Sequence, residues 1–232
     1  QVVVVNSGNA NACTGKPGLA DAREMVSFTE RALNVPQGSA LVGSTGRIGV
    51  TLPMDQVRAG IIEAATLLGS AVENADHAAE AIMTSDSCSK QIAIEFKLGG
   101  KTVRIGGICK GAGMIQPGMS PTGARPAVLP HGGLHATMLA FITTDAAVEA
   151  KSLQTAMNEA VANSLNRITV DGDMSTNDTV LVLANGLAGN SPVVAAVGRP
   201  PQFSKKLAEG ARTQLRDFEL FQGALNHVCL AL

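Results

Sequence analysis

The sequence predicts an α/β fold in which a mixed β-sheet is layered with helices. Short apolar runs typical of strands alternate along the chain with longer segments whose apolar residues recur at helical spacing. Two adjacent strand patterns meet at Gly99-Gly100, a dipeptide that favours a tight hairpin turn. Because a hairpin pairs strands antiparallel and strand–helix alternation favours parallel pairing, we expect both kinds of pairing in the sheet.

The predicted strands are short segments rich in β-branched or alternating apolar residues. Residues 2–5 consist of valine only, and Asn6-Ser7-Gly8-Asn9, which follows them, predicts a turn. Residues 91–97 alternate isoleucine and phenylalanine with polar or small neighbours, as in a strand with one buried face. Further strands are predicted at 101–108, 138–143, 168–170 and 180–184.

The predicted helices are segments in which apolar residues recur three or four positions apart. Residues 19–33 carry one such stripe. A second helix is expected between Pro53, which suits a first-turn position, and Gly69, which suits a helix end. Helices are also predicted at 147–163 and from Phe203 onward, and a loop at 118–133.

Composition excludes several classes of function. The chain has 232 residues, of which 45% are hydrophobic and 16% charged, so it is too apolar for a disordered protein. Its formal net charge is -1 at pH 7 and it has neither Trp nor Tyr, so neither electrostatics nor base stacking supports nucleic-acid binding. No apolar run approaches the roughly 18 residues that span a bilayer.

The four cysteines are widely separated in the sequence. No CxxC pair occurs, which argues against a zinc ribbon or a thiol redox motif. A dispersed set of this kind predicts buried thiols in a reducing compartment. The N-terminal valine run is too short for a secretory signal and follows no basic residue, so we expect a cytoplasmic protein that does not enter a membrane.

One segment resembles a phosphate-binding loop but departs from it. In residues 8–16, Ala10 occupies a position that the loop requires to be glycine. Pro17 follows Lys16, where the loop has Ser or Thr. A polar turn between a strand and a helix is the better interpretation, and a nucleotide site is not expected.

Two further segments resemble metal sites. His131 and His135 have metal-ligand spacing, but Gly132-Gly133 argues against the helix that would bring them together. Residues 84–87 and 171–178 are dense in hydroxyls and carboxylates, yet the second lacks the spacing and the terminal Glu of a calcium loop. Turns and helix caps explain both clusters better, so no bound metal is expected.

Three further features could carry chemistry. The evenly spaced glycines of 43–49 let a ligand approach main-chain N–H groups, which can donate to an oxyanion, although a structural turn is the simpler interpretation. Lys110, followed by Gly111, can present its ammonium to a carboxylate substrate. Thr137 follows Ala136 at the start of an apolar strand. After a cut there, its α-amine, with a pKa of roughly 7.7–8.0, could act as a base for its own hydroxyl.

Several motifs, spread in order over nearly all of the chain, together give a specific signal. They closely resemble the ornithine acetyltransferase family, the glutamate N-acetyltransferases of the cyclic arginine pathway. No single motif would carry that resemblance. The motifs are Asn6-Ser7-Gly8-Asn9-Ala10-Asn11-Ala12-Cys13-Thr14-Gly15, Ser44-Thr45-Gly46-Arg47-Ile48-Gly49, Ala81-Ile82-Met83-Thr84-Ser85-Asp86, Lys110-Gly111-Ala112-Gly113-Met114-Ile115, Ala136-Thr137-Met138-Leu139 and Thr169-Val170-Asp171-Gly172-Asp173.

The resemblance implies an N-terminal-nucleophile-like fold in which a mixed sheet is layered between helices. It also implies that the precursor cleaves itself between Ala136 and Thr137. Residues 1–136 would then belong to an α chain, and residues 137–232 to a β chain that begins with the nucleophile. The two kinds of chain would stay together as a heterotetramer of two α and two β chains.

The implied activity is an acetyl transfer in arginine biosynthesis. Thr137 would take the acetyl group from N2-acetylornithine as an ester and pass it to glutamate, without a metal or a bound cofactor. Some relatives also use acetyl-CoA as a donor and are multifunctional. The side chain of Thr45 and the N–H of Gly46 match the oxyanion hole of the family. Thr84, Lys110 and Thr137 match substrate-contacting positions, and Lys110 is expected to pair with the substrate carboxylate.

The sequence departs from the family in two ways. The family runs from the equivalent of Met119 directly into Ala136-Thr137, whereas residues 120–135 intervene here. The inserted segment lies on the leaving side of the scissile bond, and a longer surface loop adds little closure entropy, so cleavage is still expected. Family members also begin before Gln1 and continue beyond Leu232, so the chain is expected to be an internal part of a longer enzyme.

Two other functions remain open at this stage. A self-processing aminopeptidase or amidase on a related scaffold would use the same nucleophile, with water in place of glutamate as the acceptor. A non-catalytic remnant would keep the fold and serve as a binding or assembly subunit. Ornithine release that depends on glutamate would distinguish a transferase from the amidase. An unchanged phenotype after replacement of Thr137 by alanine would favour the non-catalytic remnant.

Overall fold

The computed structural model of the chain describes residues 1–120, 138–195 and 205–232, with side chains from residue 212 onward in the last range. Strands and helices are mixed along the chain. They are β1 (Val2–Asn9), α1 (Gly15–Ala32), β2 (Ala40–Arg47), α2 (Met54–Thr66), α3 (Val72–Ala81), β3 (Lys90–Leu98), β4 (Lys101–Lys110), β5 (Leu139–Thr144), α4 (Ala150–Asn163), β6 (Thr179–Ala184) and α5 (Lys205–Ala231).

The described strands form two sheets. In sheet A, β1 and β2 run parallel, from the pair Val2 and Ala40 to the pair Asn9 and Arg47. Sheet B has the order β3-β4-β5-β6, in which β5 and β6 are parallel and the other neighbours are antiparallel. Gly99 and Gly100 join β3 to β4, and both have the positive φ that a tight hairpin turn requires. The predicted mixed sheet and its hairpin are confirmed.

The two sheets lie between helices. A Cβ atom built on Gly43 of β2 would lie 3.3 Å from Cζ of Phe141 of β5, so the sheets face each other there. Helix α1 packs on sheet A, whereas α4 and α5 pack on the opposite face of sheet B. The order helices, sheet A, sheet B, helices is the layered α/β architecture that the sequence predicts.

The main hydrophobic core lies between sheet B and helices α4 and α5. Phe221 and Leu225 of α5 are fully buried in one cluster with Val103 and Ile105 of β4. Side chains alternate across a strand, so Val103 and Ile105 point to the helices. Residues at even positions of β4, such as Lys110, therefore point to sheet A. That arrangement places Lys110 in the space between the sheets.

Three elements differ from the sequence prediction. The predicted turn at Asn6-Ser7-Gly8-Asn9 is wrong, because these residues continue β1 and pair with Ser44–Arg47 of β2. The predicted strand at 168–170 is also wrong: the N–H of Val170 donates to the carbonyl of Ile115, but the segment joins no sheet. The second helix ends at Thr66, ahead of Gly69.

Two elements carried no periodic signal. Strand β2 contains Gly43, Ser44, Thr45 and Gly46, a run with low strand propensity, and only its pairing with β1 makes it a strand. In α3 only Ala79 is buried, so the helix lacks the apolar stripe by which helices are found. The helices predicted at 19–33, 147–163 and from Phe203 onward correspond to α1, α4 and α5.

The cysteines are all free, but only two of them are buried. Cys109 and Cys229 are inside, and burial raises the pKa of each thiol to about 11. Cys13 and Cys88 are exposed, so the prediction of buried thiols is wrong for these two. Among the described helices, none combines the length and the apolar character needed to cross a bilayer.

Candidate active site

The carboxyl ends of β1 and β2 meet closely at Gly8 and Gly46. A Cβ atom on Gly46 would lie 2.4 Å from both the carbonyl carbon and the carbonyl oxygen of Gly8, nearer than any side chain tolerates. Gly46 also has φ +121°, a conformation that L-residues rarely adopt. Glycine is therefore required at 46 by both space and backbone conformation. The segment 43–49 is not a free turn: its first part is β2, and it holds the main chain of Gly46 in place.

Thr45 lies between the two sheets. Its side chain is on the same face of β2 as Gly43, and it is 0% exposed. Its Oγ1 has no hydrogen-bond partner among the residues that the structure describes. Burying a hydroxyl without a partner costs about 1–3 kcal/mol. A buried donor of this kind, next to the required glycine, is what an oxyanion site needs.

A cavity of about 400 Å³ brings two predicted site residues together. Gly46 lies on one wall and Thr84 on another, although β2 and the segment after α3 are far apart in the sequence. The wall also includes side chains to which the motifs assigned no role. The lining residues are Ser7, Gly8, Gly46, Arg47, Met83, Thr84 and Ser85.

Lys110, at the end of β4, is buried next to this cavity and does not line it. The residue is 1% exposed, and its Nζ donates to Oγ1 of Thr84 at 2.8 Å. Nζ also lies 3.3 Å from Oδ2 of Asp86. Thr84 is exposed and lines the cavity, so this residue lies between the ammonium and the space where a substrate would bind.

Asp86 is a site residue that the sequence pattern did not single out. Its run of hydroxyls and carboxylates predicts a turn, but its side chain is 0% exposed and is surrounded by donors. Its Oδ1 accepts from the N–H of Gly111 at 2.6 Å and from Nζ of Lys90 at 2.9 Å, and Oδ2 accepts from the N–H of Thr84 at 3.2 Å. The four-residue spacing of Asp86 and Lys90 is a weak sequence signal for an ion pair at Asp86. The contact of Asp86 with Lys110 is visible only in the fold.

The environment of this cluster shifts two pKa values. Burial by itself raises the pKa of the Asp86 carboxyl, but the N–H of Gly111, the ammonium of Lys90 and the N–H of Thr84 together lower it to about 2. Burial lowers the pKa of the Lys110 ammonium, and the carboxylate of Asp86 opposes that effect. At neutral pH Asp86 is therefore ionised, and its negative charge favours the protonated form of Lys110.

The lowered pKa of Asp86 predicts a loss of stability in acid. A carboxyl whose pKa is lower in the folded state stabilises the protein above the unfolded pKa of about 4, and that contribution disappears as pH falls through the folded pKa. We expect the difference in unfolding free energy between the wild type and Asp86→Asn to shrink by about 2 kcal/mol from pH 7 to pH 2. Denaturant titrations at both pH values measure it, and a difference that stays constant with pH would contradict the prediction.

The predicted nucleophile Thr137 and its neighbour Ala136 lie outside the described residues, as do His131 and His135. Met138, which follows Thr137, is described. Its N–H donates to Oδ1 of Asp178 at 3.0 Å. A Cβ atom on Gly111 would lie 3.6 Å from both Cα and Cβ of Met138. Met138 thus lies next to Gly111, whose N–H donates to Asp86 and which directly follows Lys110.

The two ends of the segment that contains the insertion are held at one place. Asn166 accepts from the N–H of Met119 at 3.1 Å and donates to its carbonyl at 2.8 Å. Met119 and Met138 both pack on the small buried cluster that includes Leu165. Met119 and Met138, which lie on either side of residues 121–137, thus meet at one cluster.

The remaining acidic cluster has a structural role. Asp171 accepts from the N–H groups of Met114, Ile115 and Asp173, at 2.5, 3.0 and 3.2 Å. The bond from Asp173 is an Asx-turn, which confirms the interpretation of this segment as a turn. In the described part of the chain, no group of three or more His, Cys, Asp or Glu side chains could hold a metal ion.

Two solved structures match about half of the chain. One is the arginine biosynthesis bifunctional protein argJ of Bacillus halodurans, with 42% identity and a TM-score of 0.48 over 51% of this chain and 61% of that one. Another is ornithine acetyltransferase of Mycobacterium tuberculosis complexed with ornithine, with 35% identity and a TM-score of 0.44 over 50% of this chain and 61% of that one.

Curated relatives cover more of the chain. The arginine biosynthesis bifunctional protein ArgJ of Symbiobacterium thermophilum is 50% identical over 208 residues, which is 90% of this chain and 47% of the relative. The ArgJ protein of Listeria monocytogenes is 41% identical over 232 residues, which is 100% of this chain and 50% of the relative. The chain thus spans about half the length of these relatives. The ArgJ family model matches residues 1–232, and the chain belongs to the ArgJ family.

Proposed function

We propose that this chain carries the nucleophile and the oxyanion site of an acetyltransferase that moves acetyl from N2-acetylornithine to glutamate in arginine biosynthesis. The observation that carries the proposal is the shared cavity of Gly46 and Thr84, which lies beside buried Lys110. Membership in the ArgJ family supports it, as do relatives that are named bifunctional proteins of arginine biosynthesis. The ordered motifs that resemble ornithine acetyltransferases support the substrate class.

The proposed enzyme first hydrolyses its own Ala136–Thr137 peptide bond. One water molecule is consumed, Ala136 gains a carboxylate, and Thr137 gains a free α-amine. Residues 1–136 then belong to an α chain and residues 137–232 to a β chain, assembled as two copies of each. Asp178 supports this step, because its bond to the N–H of Met138 orients the backbone directly after the scissile bond.

The transfer then takes two steps. The α-amine of Thr137 removes the proton from its own Oγ1, which attacks the acetyl carbonyl carbon of N2-acetylornithine. The resulting oxyanion accepts from the N–H of Gly46 and the hydroxyl of Thr45, and the C–N bond breaks as ornithine leaves with a proton. The amine of glutamate next attacks the acetyl ester, so that N-acetylglutamate leaves and Thr137 regains its hydroxyl.

The chain also offers groups for a carboxylate substrate. Thr84 and Lys110 would bind the carboxylate, with the hydroxyl in contact and the ammonium next to it. Arg47, at the end of β2, adds an exposed cation to the same cavity. These groups need neither a metal nor a bound cofactor. Acetyl-CoA is proposed only as an alternative acetyl donor.

Replacement of Thr137 tests the proposal in the full-length gene product. We expect the wild type to give a new N-terminus at Thr137 by mass spectrometry, whereas Thr137→Ala stays intact. Removing the nucleophile should lower ornithine release at least ~1,000-fold. Thr137→Ser, which keeps a hydroxyl, is the matched control and should retain measurable cleavage and transfer.

Glutamate separates transfer from hydrolysis in the same assay. We expect ornithine release from N2-acetylornithine to depend on glutamate, with N-acetylglutamate formed in equal amount. Equal release without glutamate would indicate an amidase instead. A wild-type mass that stays intact after prolonged incubation would contradict self-cleavage, and full activity of Thr137→Ala would contradict the nucleophile.

A further inference from the structure

We propose that Asp86 is a positioning residue that holds Lys110 against Thr84, so that the substrate carboxylate meets the hydroxyl of Thr84 rather than the lysine ammonium. This inference rests on the function proposed above and refines how the substrate is bound. None of the motifs that carry the resemblance assigns a role to Asp86.

The direction of the Thr84 hydroxyl follows from its partner. An ammonium can only donate, so in the 2.8 Å contact Nζ of Lys110 donates and Oγ1 of Thr84 accepts. The single hydroxyl proton of Thr84 then remains available for another acceptor. Because Thr84 lines the cavity and Lys110 is 1% exposed, that acceptor is a group bound in the cavity. A donor that itself accepts from a cation makes a stronger hydrogen bond.

Asp86 is held rigidly enough to position Lys110. Its carboxylate accepts from the backbone N–H groups of Thr84, in the segment after α3, and of Gly111, directly after β4. The same carboxylate contacts Nζ of Lys110 at 3.3 Å. One buried carboxylate thus ties together the residue that faces the cavity, the lysine next to it and the chain beyond β4.

The charges of the cluster suit a single carboxylate ligand. Lys90 and Lys110 are the cations that face Asp86, and Asp86 is the only carboxylate that contacts either of them among the described residues. Cys109, whose thiol interacts with all three of these groups, is neutral at physiological pH because burial raises its pKa to about 11. With Lys110 protonated, two cations and one anion leave one net positive charge in the cluster, and Arg47 adds a further cation on the cavity wall.

A double-mutant cycle on the full-length enzyme tests whether Asp86 acts through Lys110. We expect Asp86→Asn and Lys110→Met each to raise the KM for N2-acetylornithine about 10-fold. If Asp86 acts through Lys110, the double variant should have the KM of Lys110→Met alone. Without Asp86, burial lowers the pKa of Lys110 further, so the KM of Asp86→Asn should begin to rise at lower pH than that of the wild type.

The control is a carboxylate removed from an ion pair on the same hairpin. Glu95 pairs with Arg104 at 3.0 Å, and both side chains are more than half exposed. Glu95→Gln should leave KM, its pH profile and the melting temperature unchanged. Independent effects of Asp86→Asn and Lys110→Met on KM would overturn the proposal, as would a lower melting temperature with unchanged KM.

A second pair of variants keeps the proposal testable if Asp86→Asn does not fold. Thr84→Val removes the hydroxyl and keeps Lys110, and we expect its KM to rise about 10-fold. Thr84→Ser should restore the wild-type KM. An unchanged KM in Thr84→Val would show that the substrate does not use this hydroxyl. Failure of the proposed function is a different result, because then the wild type itself would release no ornithine.

Discussion

Replacing Thr45 by valine is expected to stabilise the protein while lowering the rate of acetyl transfer about 100–1,000-fold. The side chain is 0% exposed, and its Oγ1 has no partner among the described residues. Valine has nearly the same shape, so it removes the cost of burying that hydroxyl and should raise the free energy of unfolding by about 1 kcal/mol. The same substitution removes the hydroxyl that we propose as a donor to the oxyanion, and loss of such a donor affects the transition state alone.

Thr29 supplies a matched control for this experiment. It lies in α1, is 3% exposed, and its Oγ1 is likewise without a partner in the described part of the chain. Thr29→Val should therefore give a similar gain in stability with no change in kcat. Denaturant unfolding and steady-state ornithine release measure the two effects separately. A Thr45→Val enzyme with wild-type kcat would exclude this hydroxyl from the oxyanion site.

Replacing Gly46 by alanine is expected to abolish activity and to destabilise the fold by about 3 kcal/mol. The added Cβ would lie 2.4 Å from the backbone of Gly8, and a backbone cannot rotate away as a long side chain can. Relief requires β1 and β2 to separate at their carboxyl ends. That movement displaces the Gly46 N–H and changes the wall that Gly46 shares with Thr84.

Gly49 is a control that has the positive φ of Gly46 without its close contact to Gly8. Gly49 has φ +78°, but a Cβ there would meet no atom within 4 Å. Gly49→Ala should therefore cost only the conformational strain, about 1 kcal/mol, and should keep most of the activity. Melting temperature and kcat of the two variants make the comparison. Equal losses in both would mean that the contact between Gly46 and Gly8 contributes nothing.

The sequence predicted the elements that have a strong local pattern. Helix α1 and helix α4 have apolar stripes, and the hairpin between β3 and β4 has a glycine pair in its turn. Strand β2 and helix α3 lack such signals, because β2 depends on pairing with β1 and α3 buries a single residue. Local patterns report only the surface that one segment buries, so elements made by pairing or with little burial escape them.

In the candidate site, too, some features were predicted from the sequence and others appear only in the structure. Motif resemblance placed Thr45, Gly46, Thr84 and Lys110 in the site, and the structure brings Gly46 and Thr84 to one cavity with Lys110 next to it. The motif resemblance did not indicate that Lys110 is buried and that Thr84 separates Lys110 from the cavity. Nor did it single out Asp86, because a carboxylate in a run of Ser and Thr is usually a turn residue.

By itself the sequence determined the layered α/β class, the hairpin, the main amphipathic helices and the family. These depend on composition, periodicity and ordered motifs, which are properties of the chain read along its length. Only the tertiary structure decided that β2 pairs with β1, that Gly46 must be glycine, and that Asp86 contacts Lys110. Those features arise from contacts between segments distant in sequence, and burial gives the contacts their strength because it removes water from charged and polar groups.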